Sequence, residues 1–294
     1  MKPGHLALGV LVTVIWGSNF SVIEAGLRDL DPFLLTALRF TFTAFPLVLF
    51  VRRPRQVPLA ALAGYGVLFG VGLWWVVNLA MSRGMSPGLS SLLLQSSAFF
   101  TVLLSALLLR ERVRMPQVWG MVLALCGMAL VIGHAPSSST LVGVALVMLA
   151  AISWSACNVI VKMHRPEDML AFVVWSSVFS APALFVLAWV HGGVQPFVAL
   201  TDGLTWRAAG SIAFQAYVTT VFGYLVWNNL MKTYPAASVA PLSLLVPVSG
   251  IVTSWIVFDE HFAPQVWAGM AIILAGIALF VASPWLRPGD EAAA

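Results

Sequence analysis

Long apolar runs alternate with short polar segments along the whole chain of 294 residues. A helix that crosses a bilayer needs about 20 mostly apolar residues, and ten runs approach or reach this length. The short segments between them carry turn and charge signals. The pattern therefore predicts an all-α membrane protein with ten transmembrane helices. The ten predicted segments cover residues 6–26, 33–51, 59–80, 88–109, 115–133, 141–161, 170–190, 207–230, 236–258 and 264–282.

The composition agrees with this prediction. Hydrophobic types make up 60% of the chain and charged types 9%, whereas a soluble domain carries about 25% charged residues. Only helices and closed barrels satisfy their backbone groups in lipid, and runs without strand-like alternation exclude a barrel. The first run extends from Leu6 to about Ala25 with no small-residue cleavage site after it. We interpret it as a retained helix and not as a signal peptide.

Basic residues are distributed unequally between the two sides of the predicted bundle. With the N-terminus in the cytoplasm, cytoplasmic segments hold Lys2, Arg52, Arg53, Arg55, Arg110, Arg112, Arg114, Lys162, Arg165, Lys232 and Arg287. The outer segments hold only Arg28, Arg83 and Arg207. Because positive loops stay inside, this bias predicts a multi-pass protein of the cytoplasmic (inner) membrane, with both termini in the cytoplasm.

The two halves of the chain repeat each other. Pro116-Gln117-Val118-Trp119 lies at the start of the fifth segment and Pro264-Gln265-Val266-Trp267 at the start of the tenth, and both continue to a matching glycine, Gly127 or Gly276. Five helices is an odd number, so the second copy enters the membrane inverted. Inverted repeats underlie alternating access in many transporters, with the substrate site between the repeats. The predicted repeats are residues 1–136 and 137–294, each with five helices.

Several short motifs carry a family resemblance. They are Trp16-Gly17-Ser18-Asn19-Phe20, Pro32 followed by Leu38-Arg39-Phe40, Ser86-Pro87-Gly88-Leu89-Ser90 with its counterpart Tyr234-Pro235-Ala236-Ala237, and Glu111 with Glu260. In this order and spacing the chain resembles the drug/metabolite transporter (DMT) superfamily, specifically its ten-helix EamA-type members. The resemblance implies two inverted halves around a central cavity, with helices five and ten outside it. It also implies a secondary transporter that exports amino acids or related metabolites, with aromatic amino acids as one branch.

Polar and aromatic side chains inside the predicted spans are the candidate substrate-binding residues. Burying a polar group in lipid costs free energy, so polar residues within a span usually have a structural or functional role. One set lies in the outer half of the first repeat, and a deeper set lies in the second repeat. Together they could form a cavity with aromatic walls and a few polar anchors; the alternative is that the amides and hydroxyls join helices. The candidates are Trp16, Asn19, Trp75, Asn78, Gln95, Trp154, Asn158, Trp175, Tyr224, Asn228 and Ser243.

Two charged residues in the first two helices, Glu24 and Arg39, each fit more than one role. Arg39 could bind a substrate carboxylate, or it could form a structural ion pair with Glu24; we favour the pair. Glu24 could instead couple transport to protons. No other carboxylate lies within a predicted span, which leaves facilitated exchange or uniport open.

Other functions fit the sequence less well. A multidrug or cationic-compound exporter of the same architecture is the main alternative. An intramembrane serine protease could use Gly88-Leu89-Ser90, but no histidine lies within a predicted span to act as its base. A phosphate-binding loop and a zinc motif are also missing from the sequence. We therefore expect no enzyme activity, cofactor, metal or nucleic-acid partner. The expected partners are a small-molecule substrate and the lipid bilayer, and the chain is expected to act as a monomer.

Overall fold

The structure is a computed structural model. It describes residues 1–110, 113, 115–134, 141–201, 203–234, 239, 242–243 and 245–282. All regular secondary structure in these residues is helical. The predicted repeat boundary after residue 136, Glu111 and most of the first part of the ninth segment lie outside the described residues.

The first half contains five helical units. They are α1 (Pro3–Leu27), α2 (Pro32–Ala44, followed by a 3-10 turn at Leu47–Leu49), α3 (Leu59–Val67, a π-helical Leu68–Trp75 and Val76–Ser82), α4 (Pro87–Leu94 and Ser97–Leu109) and α5 (Met115–Gly133).

The second half continues with α6 (Leu141–His164), α7 (Met169–Gly192), α8 (Trp206–Ala213, a π-helical Phe214–Phe222 and Gly223–Thr233), α9 (Leu245–Phe258) and α10 (Pro264–Ala282). A short helix that the sequence pattern did not predict, Gln195–Thr201, lies between α7 and α8. The units α1 to α8 are long and apolar enough to cross a membrane, and α9 and α10 add shorter apolar stretches.

Local sequence signals explain where the helices begin. The Asp31 side chain accepts hydrogen bonds from the Phe33 and Leu34 backbone N–H groups, and a proline occupies the first position of α2. Ser86 caps α4 in the same way, again with a proline at the first position. These caps satisfy N–H groups that a helix start leaves free, so the starts of α2 and α4 are set by the sequence nearby.

Two helices differ from the continuous segments predicted for them. The helical part of α2 ends at Ala44, because Pro46 has no N–H to continue the ladder. The α4 helix is interrupted at Gln95 and Ser96. The π-helical segments of α3 and α8 are also additions to the prediction, since a hydrophobic pattern does not distinguish them from α-helix.

Small residues allow several helices to approach closely. The α5 helix packs along α10, and α1 packs along α9. A Cβ added to Gly127 would lie 2.7 Å from the Gly269 carbonyl oxygen, and one added to Gly276 would lie 2.6 Å from the Gly120 carbonyl oxygen. Contacts of this kind between small residues are a common basis of helix association in membranes.

Candidate functional site

A buried arginine lies among α2, α3 and α8. Arg39 is 1% exposed. Its Nη1 donates to Gln215 Oε1 and its Nη2 donates to Thr220 Oγ1, both at 3.4 Å. The guanidinium carbon lies 4.0 Å from the centre of the Trp74 ring, a cation–π contact. A positive charge is therefore held inside the bundle by neutral groups and an aromatic face.

The two acceptors of Arg39 are oriented by further hydrogen bonds. Gln215 Nε2 donates to Ser211 Oγ at 3.0 Å, which turns Gln215 Oε1 towards the guanidinium. The Thr220 hydroxyl donates to the Gln215 carbonyl oxygen at 2.8 Å, which leaves its oxygen lone pairs for Arg39. The two acceptors of Arg39 are therefore held in place by hydrogen bonds within α8.

Aromatic rings surround this charge. The Trp74 ring packs against Phe20 and Phe69, with centroids 6.1 and 6.4 Å away. Phe69 in turn contacts Trp154 at 5.4 Å and Tyr65 at 5.2 Å. Side chains from α1, α3 and α6 therefore form an apolar wall beside the guanidinium.

A second group of rings continues the wall along α1 and α8. Trp16 lies 5.7 Å from Tyr224 and 5.1 Å from Trp227, and its Nε1 donates to the Thr219 carbonyl oxygen at 3.0 Å. The Thr219 hydroxyl also donates to Asn19 Oδ1 at 3.0 Å. We call the Arg39 environment and both groups of rings the central cluster: Trp16, Asn19, Phe20, Arg39, Tyr65, Phe69, Trp74, Trp154, Gln215, Thr219, Thr220, Tyr224 and Trp227.

The structure brings four of the eleven predicted substrate-binding residues into the central cluster, namely Trp16, Asn19, Trp154 and Tyr224. The sequence predicted two separate sets of site residues at different depths in the membrane. The structure partly merges them, because α1 and α8 pack against each other and place Asn19 and Trp16 beside Thr219.

Other predicted site residues make contacts between helices. Asn78 Nδ2 donates to Thr36 Oγ1 at 2.8 Å, and Asn158 Nδ2 donates to Thr101 Oγ1 at 3.1 Å. These contacts fit the alternative in which amides join helices. Trp175 Nε1 donates to the Val51 carbonyl oxygen at 2.9 Å, two residues beyond the 3-10 turn that follows α2.

Gln95 and Ser243 are joined to each other. Gln95 Nε2, at the interruption of α4, donates to the Ser243 carbonyl oxygen at 3.4 Å. The side chain of Asn228 lies outside the described residues.

Trp75 does not face the central cluster. Its ring stacks on Phe33 with centroids 4.7 Å apart, and Phe33 contacts the His191 ring at 5.1 Å. The neighbouring Trp74 faces Arg39 instead. Adjacent side chains of a helix point about 100° apart, so the two tryptophans at the end of the π-helical segment Leu68–Trp75 meet different neighbours.

The ion pair that we favoured between Glu24 and Arg39 is not formed. Glu24 lies seven residues after Gly17, on the face of α1 that packs against α9, whereas Arg39 faces α8. Glu24 lines a separate pocket of about 260 Å³, together with Arg28 and Glu260. We call it the outer pocket, after its position in the predicted orientation.

The outer pocket is closed on one side by the segment between α9 and α10. The Glu260 carboxylate accepts a hydrogen bond from the Ser254 hydroxyl and lies against Ser86 at the start of α4. Burial raises the pKa of Glu260, while the hydrogen bonds from Ser254 and Ser86 oppose the shift. Arg28 extends over the Phe258 ring at 5.1 Å.

The prediction from sequence missed several residues of the central cluster, above all Trp74, Gln215 and Thr220. All three lie in the π-helical segments Leu68–Trp75 and Phe214–Phe222. π-Helical turns are frequent at functional sites. A usable signal was present in α8, where Gln215, Thr219 and Thr220 are polar residues within a span and recur at helical spacing.

Comparison with known proteins identifies a family. The profile of the EamA-like transporter family matches residues 4–133 and 141–282. A protein of Salmonella typhimurium described as a probable amino-acid metabolite efflux pump is 36% identical over 282 residues, covering 94% of this chain and 93% of its own length. Its Escherichia coli counterpart, described in the same words, is 35% identical over 283 residues, with the same coverage of both chains.

A more distant relative and one solved structure agree with this match. A probable terminal-alkyne amino-acid exporter of Streptantibioticus cattleyicolor is 28% identical and covers 92% of this chain and 91% of its own length. A crystal structure of a protein that is 20% identical has a TM-score of 0.59 and covers 95% of this chain and 98% of its own. At that identity the structural match shows a shared fold.

Proposed function

Because this chain belongs to the EamA-like transporter family, we propose that it exports amino acids or related small metabolites, aromatic amino acids among them, by alternating access. The chain is a multi-pass membrane transporter and not an enzyme. The direction of transport and the substrate class are supported by relatives described as amino-acid metabolite efflux pumps and as an amino-acid exporter.

In this proposal all ten helices cross the cytoplasmic membrane, including the shorter α9 and α10, and both termini lie in the cytoplasm. The excess of basic residues in the segments assigned to the cytoplasm supports this orientation. The chain acts as a monomer, with lipid around it.

The proposed inverted repeats are supported by matched features in the two halves. The third helix of each half contains a π-helical segment, Leu68–Trp75 or Phe214–Phe222. The contact of Gly127 with Gly269 is matched by the contact of Gly276 with Gly120. Gly127 and Gly276 are equivalent in the sequence repeat, so this exchange of partners is what a twofold relation between α5 and α10 predicts.

The observation that carries the proposal is the position of the central cluster. It is built by α1, α2 and α3 of the first half and by α6 and α8 of the second. Sites of alternating-access transporters lie at such an interface, because relative motion of the halves there changes access to the site. The combination of aromatic rings with a few amides and hydroxyls suits a small ligand with an apolar part and polar ends.

The same cluster disfavours the alternative of a cationic-compound exporter. Its buried charge, Arg39, is positive, and the carboxylates of Glu24 and Glu260 line the outer pocket instead. A cation at the central cluster would be repelled by the guanidinium.

The experiment is transport by the purified protein in proteoliposomes, with a panel of labelled amino acids, with and without a pH gradient. Trp16→Ala and Trp154→Ala remove rings of the central cluster and should lower the initial rate about tenfold, which corresponds to about 1.4 kcal/mol of lost substrate binding. The control is Trp189→Ala, which removes a ring that is 63% exposed on the surface of the bundle. Wild-type flux no higher than that of empty vesicles for every amino acid would refute the proposal, and equal flux in all three variants would remove the site.

A further inference from the structure

Arg39 has hydrogen-bond donors for which the described residues supply no acceptor. A guanidinium has five N–H donors in a planar fork, and the structure assigns partners to Nη1 and Nη2 alone, each at the long distance of 3.4 Å. The Nε atom is buried and has no hydrogen-bond partner among the residues that the structure describes. No carboxylate in the described part of the chain forms a salt bridge with Arg39. A buried charge in this condition is costly, because its attraction to neutral acceptors replaces only part of its hydration.

Other buried donors near Arg39 are also unsatisfied. Trp74, whose ring lies against the guanidinium, has an Nε1 that no acceptor in the described part of the chain reaches. Asn19 accepts from the Thr219 hydroxyl, next in sequence to the Arg39 partner Thr220, and its Nδ2 donor likewise has no partner among the described residues. Arg39, Trp74 and Asn19 therefore offer N–H donors for which the described chain supplies no matching acceptor. Such a set is suited to an anionic group with several lone pairs.

We propose that Arg39 binds the carboxylate of the transported molecule, while the rings of Trp74, Phe69 and Trp154 contact its apolar part. The planar carboxylate matches the fork of the guanidinium and can accept two parallel hydrogen bonds. This inference rests on the proposed function, and it adds which end of the substrate is recognised and by which residue.

The alternative is a structural role in which Arg39 only joins α2 to α8 through Gln215 and Thr220. The two roles differ in ligand selectivity. A carboxylate-binding Arg39 makes affinity depend on the carboxylate, whereas a structural Arg39 affects stability and leaves the order of affinities unchanged.

The first test uses wild-type protein alone, so that it does not depend on any variant folding. Uptake of labelled phenylalanine into proteoliposomes is competed with unlabelled 3-phenylpropionate, which keeps the carboxylate and lacks the amine, or with phenethylamine, which keeps the amine and lacks the carboxylate. Labelled leucine, competed with 4-methylpentanoate or isopentylamine, provides a second pair. We expect the carboxylates to compete at concentrations about 10- to 100-fold lower than the amines, as expected for the loss of a hydrogen bond to a charged group. Equal competition, or stronger competition by the amines, would overturn the proposal.

The second test compares Arg39→Lys and Arg39→Gln with the control Arg207→Gln, which removes a 45% exposed arginine that pairs with Asp29. We expect Arg39→Gln to lose the preference for carboxylates, Arg39→Lys to keep part of it, and Arg207→Gln to keep it fully. A folded Arg39→Gln variant that transports with unchanged preference shows a structural Arg39 and leaves the proposed function intact. If wild-type protein transports neither phenylalanine nor leucine but does transport another amino acid, the same competition by the matching acid and amine is measured with that substrate, and the same outcomes apply. Wild-type protein that transports no amino acid refutes the proposed function and this inference with it.

Discussion

Replacement of Gly127 by alanine tests the packing of α5 against α10. The added Cβ would lie 2.7 Å from the Gly269 carbonyl oxygen and 2.8 Å from the Ile273 backbone nitrogen. Ordinary van der Waals contact begins at 3.4 Å, so the two helices must separate by several tenths of an ångström. Neither contact is with a flexible side-chain end, and therefore the strain cannot be removed by a change of rotamer.

The expected cost follows from two opposing effects. Inserting a methyl group into a packed interface typically costs about 1–3 kcal/mol, and contact with backbone atoms places Gly127→Ala near the upper end of that range. Alanine in a helix gains about 1 kcal/mol over glycine. We therefore expect the free energy of unfolding to fall by about 2 kcal/mol. Gly64→Ala is the matched control, since an added Cβ there meets no heavy atom of the described residues within 4 Å, and it should stabilise by up to about 1 kcal/mol.

The assay is reversible unfolding in mixed micelles by titration with SDS, followed by tryptophan fluorescence. The change Gly276→Ala on the other helix of this pair, whose Cβ would meet the Gly120 carbonyl oxygen at 2.6 Å, should give a similar loss. A Gly127→Ala variant as stable as the wild type would refute this account of the interface. So would a loss of the same size in Gly64→Ala, because the effect would then not arise from close packing.

Three further predictions concern other parts of the chain. Asn158→Ala removes the hydrogen bond to Thr101 and should lower the free energy of unfolding by about 0.6 kcal/mol, the average for interhelical hydrogen bonds in membranes. The KM for transport should stay unchanged, and a tenfold rise in KM would instead place Asn158 in the substrate site. Burial raises the pKa of Glu260 above its usual value of 4.5. The protonated carboxyl therefore stabilises the fold below pH 4.5, and this contribution is lost as the pH rises through the raised pKa. Glu260→Gln should make the melting temperature fall less over this pH range, and a pH profile identical to that of the wild type would contradict the prediction. In a cysteine-free background, a membrane-impermeant thiol reagent should label Ser82→Cys in intact cells and Arg53→Cys only after permeabilisation; the opposite pattern would invert the proposed orientation.

The family and the membrane helices were predictable from the sequence because both depend on features that are local or repeated. Apolar runs of bilayer length mark helices wherever they occur, and motifs such as Trp16–Phe20 are contiguous. The ends of α2 and α4 also follow from adjacent residues, Asp31 and Ser86, that cap them.

The residues of the central cluster were harder to predict because they depend on side-chain direction and on contacts between distant segments. Trp74 and Trp75 are adjacent and chemically identical, and the sequence does not show which of them meets Arg39, because that depends on the rotation of the helix about its axis. Glu24 and Arg39 are at compatible positions in the sequence, but α1 turns Glu24 towards α9 and the outer pocket. An amide such as Asn78 has the same appearance in sequence whether it faces a cavity or the hydroxyl of Thr36.

The π-helical segments of α3 and α8 have a consequence for protein engineering. Each π-type hydrogen bond spans one residue more than its α-helical equivalent, so such a segment accommodates one residue beyond a regular helix. Elsewhere in a span, a one-residue deletion rotates everything beyond it by about 100° and turns apolar faces away from lipid. A deletion within Leu68–Trp75 or Phe214–Phe222 restores a regular helix and leaves both flanks in register. Because Trp74, Gln215 and Thr220 belong to these segments, we expect the deletion variants to insert and fold while the surroundings of Arg39 are rearranged. Such variants would separate the assembly of the protein from the role of the central cluster.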